Sequence, residues 1–182
     1  MNFIEYYDNS LKKDYCDFII KLYNKQNSQS SPTVNGINTK HKLGTHIPLS
    51  FENSKGWLNS SVNTYLSNSL FDNLQKYKKK YNLDHLDEFV LQPDYHIQKF
   101  EEGGGYFTPH CEHCPEEPNR IHVWMISLND AKSGTKFNYY NKTYRAKSGR
   151  MLMWPAGWTH LHCGVTPNRG DKYIITGWFK YK

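Results

Sequence analysis

Residues 110–112 read His110-Cys111-Glu112, residues 162–164 read His162-Cys163-Gly164, and Lys172 stands ten positions beyond His162. Two imidazoles and one carboxylate on one face of a divalent ion leave its other face open, the arrangement found at non-haem Fe(II) sites. On a strand alternate side chains share a face, so His110 and Glu112 are expected to point the same way. Three ligands from one strand could not close around an ion, so the second imidazole must come from a distant segment. His162 can supply it. His160 competes, being two places away on the same expected strand face. The spacing to Gly164 and Lys172 favours His162 and leaves His160 as a pocket wall or a support.

The C-terminal run around Lys172 reads as a strand whose same-face residues are Lys172, Ile174, Thr176 and Trp178. A lysine heading such a face points into the interior and there needs an anion. Further short strands, bounded by turn residues, are expected at Phe89–Leu91, Tyr95–Phe100, His122–Leu128, Lys136–Tyr140, Arg150–Trp154 and Leu161–Val165. Gly103-Gly104-Gly105, Ser133-Gly134, Ser148-Gly149 and Asn168 to Gly170 supply breaks. Several strands at this spacing suggest a double-sheet barrel or sandwich.

Upstream the period changes. Leu11, Tyr15, Phe18, Ile19, Leu22 and Tyr23 recur at helical spacing behind a cap at Asn9 or Ser10. Residues 24–54, rich in Asn, Ser, Gln, Gly and Thr, read as a long loop with short extended pieces, of the kind that serves as a lid or substrate loop. A second helix is expected over 59–81, with Val62, Tyr65, Leu66, Leu70, Leu74, Tyr77 and Tyr81 as its apolar stripe, bracing the outside of a sheet. After Asp87 the pattern turns to strands.

His-x-Glu, the distal His-x-Gly and the lysine ten residues beyond, followed by Trp178, resemble the Fe(II)/2-oxoglutarate-dependent dioxygenases, in particular the prolyl 4-hydroxylase-like branch. The similarity is dense from Tyr95 to Trp178 and includes Gly149, Trp154-Pro155, Pro167 and Gly170. The sequence departs from that family's pattern at Glu112, where Asp is usual, and at Phe100 and Ser127, where the family often has Tyr. The resemblance implies a mainly β fold with N-terminal helices around a double-stranded β-helix, or jelly roll. It implies one domain over 1–182, with 1–85 the helical brace and long loop and 86–182 the core. It further implies Fe(II) on His110, Glu112 and His162. The cosubstrate 2-oxoglutarate would place its far carboxylate on Lys172, with Thr176 adding a hydroxyl and ascorbate a candidate reductant. The implied reaction is hydroxylation of a prolyl residue in a peptide or protein, with free proline or another small molecule the other option.

Two readings compete. Cys111-x-x-Cys114 with His113, His160 and Cys163 nearby could build a zinc-bearing module that binds nucleic acid or protein without catalysis. Against it, Cys111 alternates away from His110 and no second Cys-x-x-Cys completes the set. A cupin-like metal barrel without 2-oxoglutarate is the other, and it gives a buried Lys172 nothing to do.

Composition sets the outer bounds. A chain of 182 residues, 15% aromatic with 14 tyrosines, suits one domain with a sizeable core. A net charge of +6 is modest for a nucleic-acid binder, and the run Lys76, Lys78, Lys79, Lys80 reads as a solvated helix end. Met1 to Tyr7 lacks the apolar run of a signal peptide, no stretch suits a membrane span, and four cysteines are too few for a disulfide scaffold. These features point to a cytoplasmic protein with reduced thiols.

Overall fold

The computed structural model describes residues 1–33, 36–52, 60–86 and 88–182. In chain order these form β1 (Glu5–Tyr7), α1 (Lys13–Tyr23), β2 (Gln29–Ser30), β3 (Lys42–Leu43), β4 (Thr45–Ser50) and α2 (Ser60–Tyr81). Then follow β5 (Phe89–Leu91), β6 (Asp94–Phe100), β7 (Gly105–Tyr106), β8 (Arg120–Ser127), β9 (Gly134–Phe137), β10 (Lys142–Arg145) and β11 (Met151–Pro155). A 3-10 turn (Trp158–His160), β12 (His162–Val165) and β13 (Lys172–Tyr181) complete the chain. The expected end of the long loop at 54, start of the second helix at 59 and switch to strands at 87 fall outside the described residues.

Eight strands make the larger sheet, in the order β1-β11-β8-β13-β6-β4-β2 with β5 added to β13, and every pairing is antiparallel. Facing it is a smaller sheet, β10-β9-β12. This is the double-stranded β-helix.

Strand alternation sorts the side chains of the larger sheet onto two buried faces. On β8, β11 and β13 one set, including Trp124, Ile126, Met151, Met153, Ile175 and Phe179, joins Cys16 and Ile19 of α1 and Leu66, Leu70 and Leu74 of α2 in one apolar cluster. The helices therefore brace the outside of the sheet, as their apolar stripes require. The other set, Val123, Met125, Leu152, Trp154, Ile174 and Trp178, packs between the sheets with Phe137 of β9. Each fully buried large apolar side chain contributes about 1.5–3 kcal/mol of transfer free energy. At Gly149 the chain turns into β11 with φ of 75°, and a Cβ there would strike the carbonyl oxygen of Leu11. The position needs glycine on both counts.

Several expectations are corrected. The first helix starts at Lys13 with Lys12 at its cap position and no side-chain cap, so neither Asn9 nor Ser10 caps it. The Ser10 hydroxyl instead donates to the Tyr7 carbonyl and accepts from Asn73 of α2, tying the N-terminal segment to the brace. The region read as a long loop contains β4, paired with β6 along its full length. The expected strand over 136–140 ends at Phe137 and turns, and β10, unforeseen, follows. Among the described residues no helix is long and apolar enough to cross a membrane.

Candidate active site

The space between the two sheets opens as a cavity of about 240 Å³. The inward face of β13 forms one wall, and Lys172, Ile174, Thr176 and Trp178 all line it, as period-two reading requires. The inward face of β6 supplies His96, Gln98 and Phe100.

At one side of this cavity stand His110, Glu112 and His162. Their ligand atoms lie within 4.8 Å of one another, and among the described residues no other His, Cys, Asp and Glu group is close enough to share an ion. Glu112 Oε1 is 3.4 Å from His110 Nε2 and 3.5 Å from His162 Nε2. The route to this geometry differs from the expected one. His110 lies outside any regular strand, in an isolated bridge to His162, and Glu112 sits in a bend. The bridge is a reciprocal pair of backbone hydrogen bonds, His110 N–H to His162 O at 2.9 Å and His162 N–H to His110 O at 3.0 Å. Glu112 is held separately, its N–H donating to the Ala156 carbonyl at 3.0 Å. Convergence thus comes from pinning one irregular segment to β12 at His162 and to Ala156 just past β11, not from a shared strand face.

Both imidazoles are aimed by their other nitrogen. His110 Nδ1 lies 2.9 Å from the Thr108 carbonyl, and His162 Nδ1 lies 3.0 Å from the His160 carbonyl. A carbonyl only accepts, so each Nδ1 carries a proton, and Nε2 is the nitrogen each ring turns toward Glu112 and offers to an ion. Tyr106 stacks on the His110 ring at 3.6 Å between centroids. The Trp178 indole N–H donates to Glu112 Oε2 at 3.1 Å, leaving Oε1 toward the histidines. Burial alone would raise the Glu112 carboxyl, but hydrogen bonds and charge from His110 and His162 prevail and hold it well below the usual range. Burial, with His110 beside it, lowers His162. A carboxylate and two imidazoles whose Nε2 atoms converge on it are a donor set that fits a divalent iron.

Lys172 is buried in the wall of the same cavity. Its ammonium donates to the Gly134 carbonyl at 2.8 Å and has no carboxylate partner among the described residues. Burial pulls its pKa down to about 8. A buried cation paired only with a neutral carbonyl is a ready site for an anion. Thr176 lines the same wall of the cavity, its hydroxyl donating to the Trp124 carbonyl at 3.3 Å. The Phe100 ring lies 5.9 Å from the Lys172 ammonium.

The competing residues go elsewhere. His160 is in the 3-10 turn, not on the strand, and its ring nitrogens meet the Asn2 carbonyl and the Thr159 hydroxyl, each at 2.9 Å. It is no pocket wall; it anchors the N-terminus and lends its carbonyl to His162. Cys111 and Cys114 edge the cavity as free thiols, and Cys111 Sγ donates to the His113 carbonyl. With no third ligand near enough among the described residues, they make no zinc site.

Sequence reasoning missed Lys42, His46, His96, Gln98 and Tyr106 as cavity residues. The alternation His96, Gln98, Phe100 along β6 was the available signal. Lys42 and His46 had none, because the segment carrying them reads as loop.

A jelly-roll cavity that gathers two imidazoles and a carboxylate able to share an ion, with a buried lysine that has no carboxylate partner among the described residues, has the parts of a metal-dependent site. Comparison with known families adds to this: residues 95–180, the β core, match the 2OG-Fe(II) oxygenase superfamily. Fe(II) and 2-oxoglutarate are accordingly its metal and cosubstrate. No curated protein matches the chain by sequence. Among solved structures, the viral collagen prolyl hydroxylase of Paramecium Bursaria Chlorella virus-1, in complex with 2OG, superposes with a TM-score of 0.72 at 16% identity, over 100% of this chain and 97% of that one. A Pseudomonas putida prolyl-4-hydroxylase gives 0.72 at 12% identity, over 99% and 94%. A Trichoplax adhaerens prolyl hydroxylase, in complex with a hypoxia inducible factor peptide fragment, gives 0.77 at 14% identity, over 99% and 84%. At these identities the likeness is one of fold.

Proposed function

We propose that this oxygenase hydroxylates a prolyl residue in a peptide or protein, that His110, Glu112 and His162 hold its Fe(II), and that Lys172 and Thr176 receive the far carboxylate of 2-oxoglutarate. The observation that carries the assignment is the pairing of the two features in one cavity: three aimed ligand atoms within 4.8 Å of one another, and a buried lysine without a counter-ion. The prolyl substrate is supported by the prolyl hydroxylases that share the fold.

When bound, iron and 2-oxoglutarate supply the oxidising power, with succinate and carbon dioxide as the cosubstrate's products. The chain's own residues do the rest. Lys172 would hold the far carboxylate of the cosubstrate by charge. Trp178 keeps Glu112 Oε2 occupied and thereby orients Oε1. Tyr106 limits rotation of the His110 ring by stacking. Ile174, Phe100 and Met125 give the cavity dry walls, which strengthen each charged contact inside it.

The test is to add Fe(II) and 2-oxoglutarate anaerobically and to watch for a visible charge-transfer band that needs both. Proline-containing peptides are then supplied with oxygen, and mass spectrometry looks for the gain of one oxygen atom on proline. A band without any hydroxylated proline across a broad peptide library would remove the prolyl assignment and leave the cofactor assignment standing.

A further inference from the structure

We propose that the substrate carries a carboxylate near the carbon to be oxidised, and that Lys42 is the specificity residue that binds it. The inference rests on the prolyl-oxygenase reading above and narrows it. Among the described residues, three cations line the cavity: Lys42, Arg120 and Lys172. Arg120 is fully engaged. It donates to Gln92 at 3.1 Å and to the Glu117 carboxylate at 2.9 Å, and its guanidinium lies 3.5 Å over the Trp178 ring. The other two have no carboxylate partner, and the cosubstrate brings one far carboxylate for Lys172. Lys42 is left over.

The Lys42 ammonium makes a long hydrogen bond to the Pro32 carbonyl at 3.3 Å and lies 5.0 Å from the Tyr106 ring centre. Tyr106 in turn stacks on His110, so the charge sits one ring away from a proposed metal ligand. Burial pulls the Lys42 pKa down to about 8, and the one charge that opposes this is Glu112, which iron would neutralise. Once metal and cosubstrate are in place, Lys42 therefore faces the substrate without compensation. A carboxylate suits it better than a neutral group because the half-buried ammonium gains a charge-assisted hydrogen bond. The other cavity groups nearby, His46, His96 and Gln98, are neutral hydrogen-bonding partners: burial lowers both imidazoles, His96 to about 4. They add polarity without competing for the anion. The carboxylate could come from an acidic residue beside the proline or from free proline itself.

The experiment uses the full chain loaded with Mn(II) and 2-oxoglutarate, so that binding is read without turnover. Calorimetry measures 2-oxoglutarate and four probes: a short end-blocked alanine peptide with one proline, the same peptide with aspartate beside the proline, the same with lysine there, and free proline. The aspartate peptide is expected to bind about tenfold more tightly than the neutral one, the usual worth of one charged hydrogen bond. Lys42→Met should abolish that preference, Lys42→Arg should keep part of it, and Lys42→Glu should favour the lysine peptide. All should bind 2-oxoglutarate as the parent does. Binding of free proline alone, lost in Lys42→Met, would uphold the carboxylate and remove the peptide substrate. Equal binding of the aspartate and neutral peptides, or a preference that survives Lys42→Met, overturns the inference. So does loss of 2-oxoglutarate binding in Lys42→Met, which would make Lys42 a cosubstrate residue. Failure of the unaltered protein to bind 2-oxoglutarate would sink both readings together.

Discussion

His162 and His160 are two positions apart, yet their replacement should have unequal effects. His162→Ala removes an aimed Nε2 and is expected to abolish tight metal binding and 2-oxoglutarate turnover. His160→Ala removes an N-terminal anchor but keeps the carbonyl that orients His162, so metal binding should persist at reduced thermal stability. Metal content after dialysis separates the two; retention by His162→Ala would discard it as a ligand. At Lys172 the expected loss in Lys172→Ala is a rise in 2-oxoglutarate KM of roughly ten- to a hundredfold, from a charged hydrogen bond worth about 1.5–3 kcal/mol. Because burial holds the free Lys172 near 8 and an anion would raise it, 2-oxoglutarate binding should take up protons at about pH 8 and hardly any near pH 6. Calorimetry in buffers of different ionisation enthalpy reads this, and the uptake should vanish in Lys172→Ala.

Among the elements, α2 has the simplest expectation. Leu70 is completely buried against the outer face of the sheet. Leu70→Ala should cost about 2–5 kcal/mol, seen as a lower urea midpoint at unchanged slope, with metal affinity retained below the transition. On β13 a Cβ at Gly177 would run into the Trp124 indole. Gly177→Ala should cost about 1–3 kcal/mol by overpacking and also weaken metal binding, since it displaces the neighbouring Trp178 from Glu112. The strands of the C-terminal half were legible because alternation between two buried faces leaves a strong period-two signal in residues such as Lys172, Ile174, Thr176 and Trp178. β4 was not, because Thr45 to Ser50 carries a proline and few apolar residues, and its existence depends on pairing with β6. Spacing suggested that His110, Glu112, His162 and Lys172 belong together, and the structure gathers them around one cavity. That His110 and Glu112 converge without a strand was not legible, because it rests on backbone bonds to His162 and Ala156, far away in sequence.

For the molecule as a whole, acid should loosen the fold through His122. This ring is buried beside Tyr77 at 4.2 Å, its Nε2 has no hydrogen-bond partner among the described residues, and burial, then His160, push it down to about 3. Its unfolded value is about 6.5. Between these values the unfolded chain binds a proton that the folded chain refuses. The stability is therefore complete above about 6.5 and falls as pH drops, by up to about 1.4 kcal/mol per pH unit. Urea unfolding from about pH 7 to pH 5 should show a shallower decline in His122→Phe than in the parent.

The bridge between His110 and His162 has one more consequence. Amides and carbonyls of the chain, rather than an ion, set the separation of the two rings. The claw is thus assembled before its cargo arrives, and the ion should be exchangeable. Protein stripped by a chelator should still melt in one cooperative step, and added metal should raise the midpoint with concentration as simple mass action demands. A ready-made claw of nitrogen and oxygen donors also has little means of refusing Co(II), Ni(II) or Zn(II), which bind such donors at least as strongly as Fe(II). Mismetallation is the built-in weakness of the design: identity of the occupant follows supply, and a zinc-filled protein should be folded, stabilised and inert.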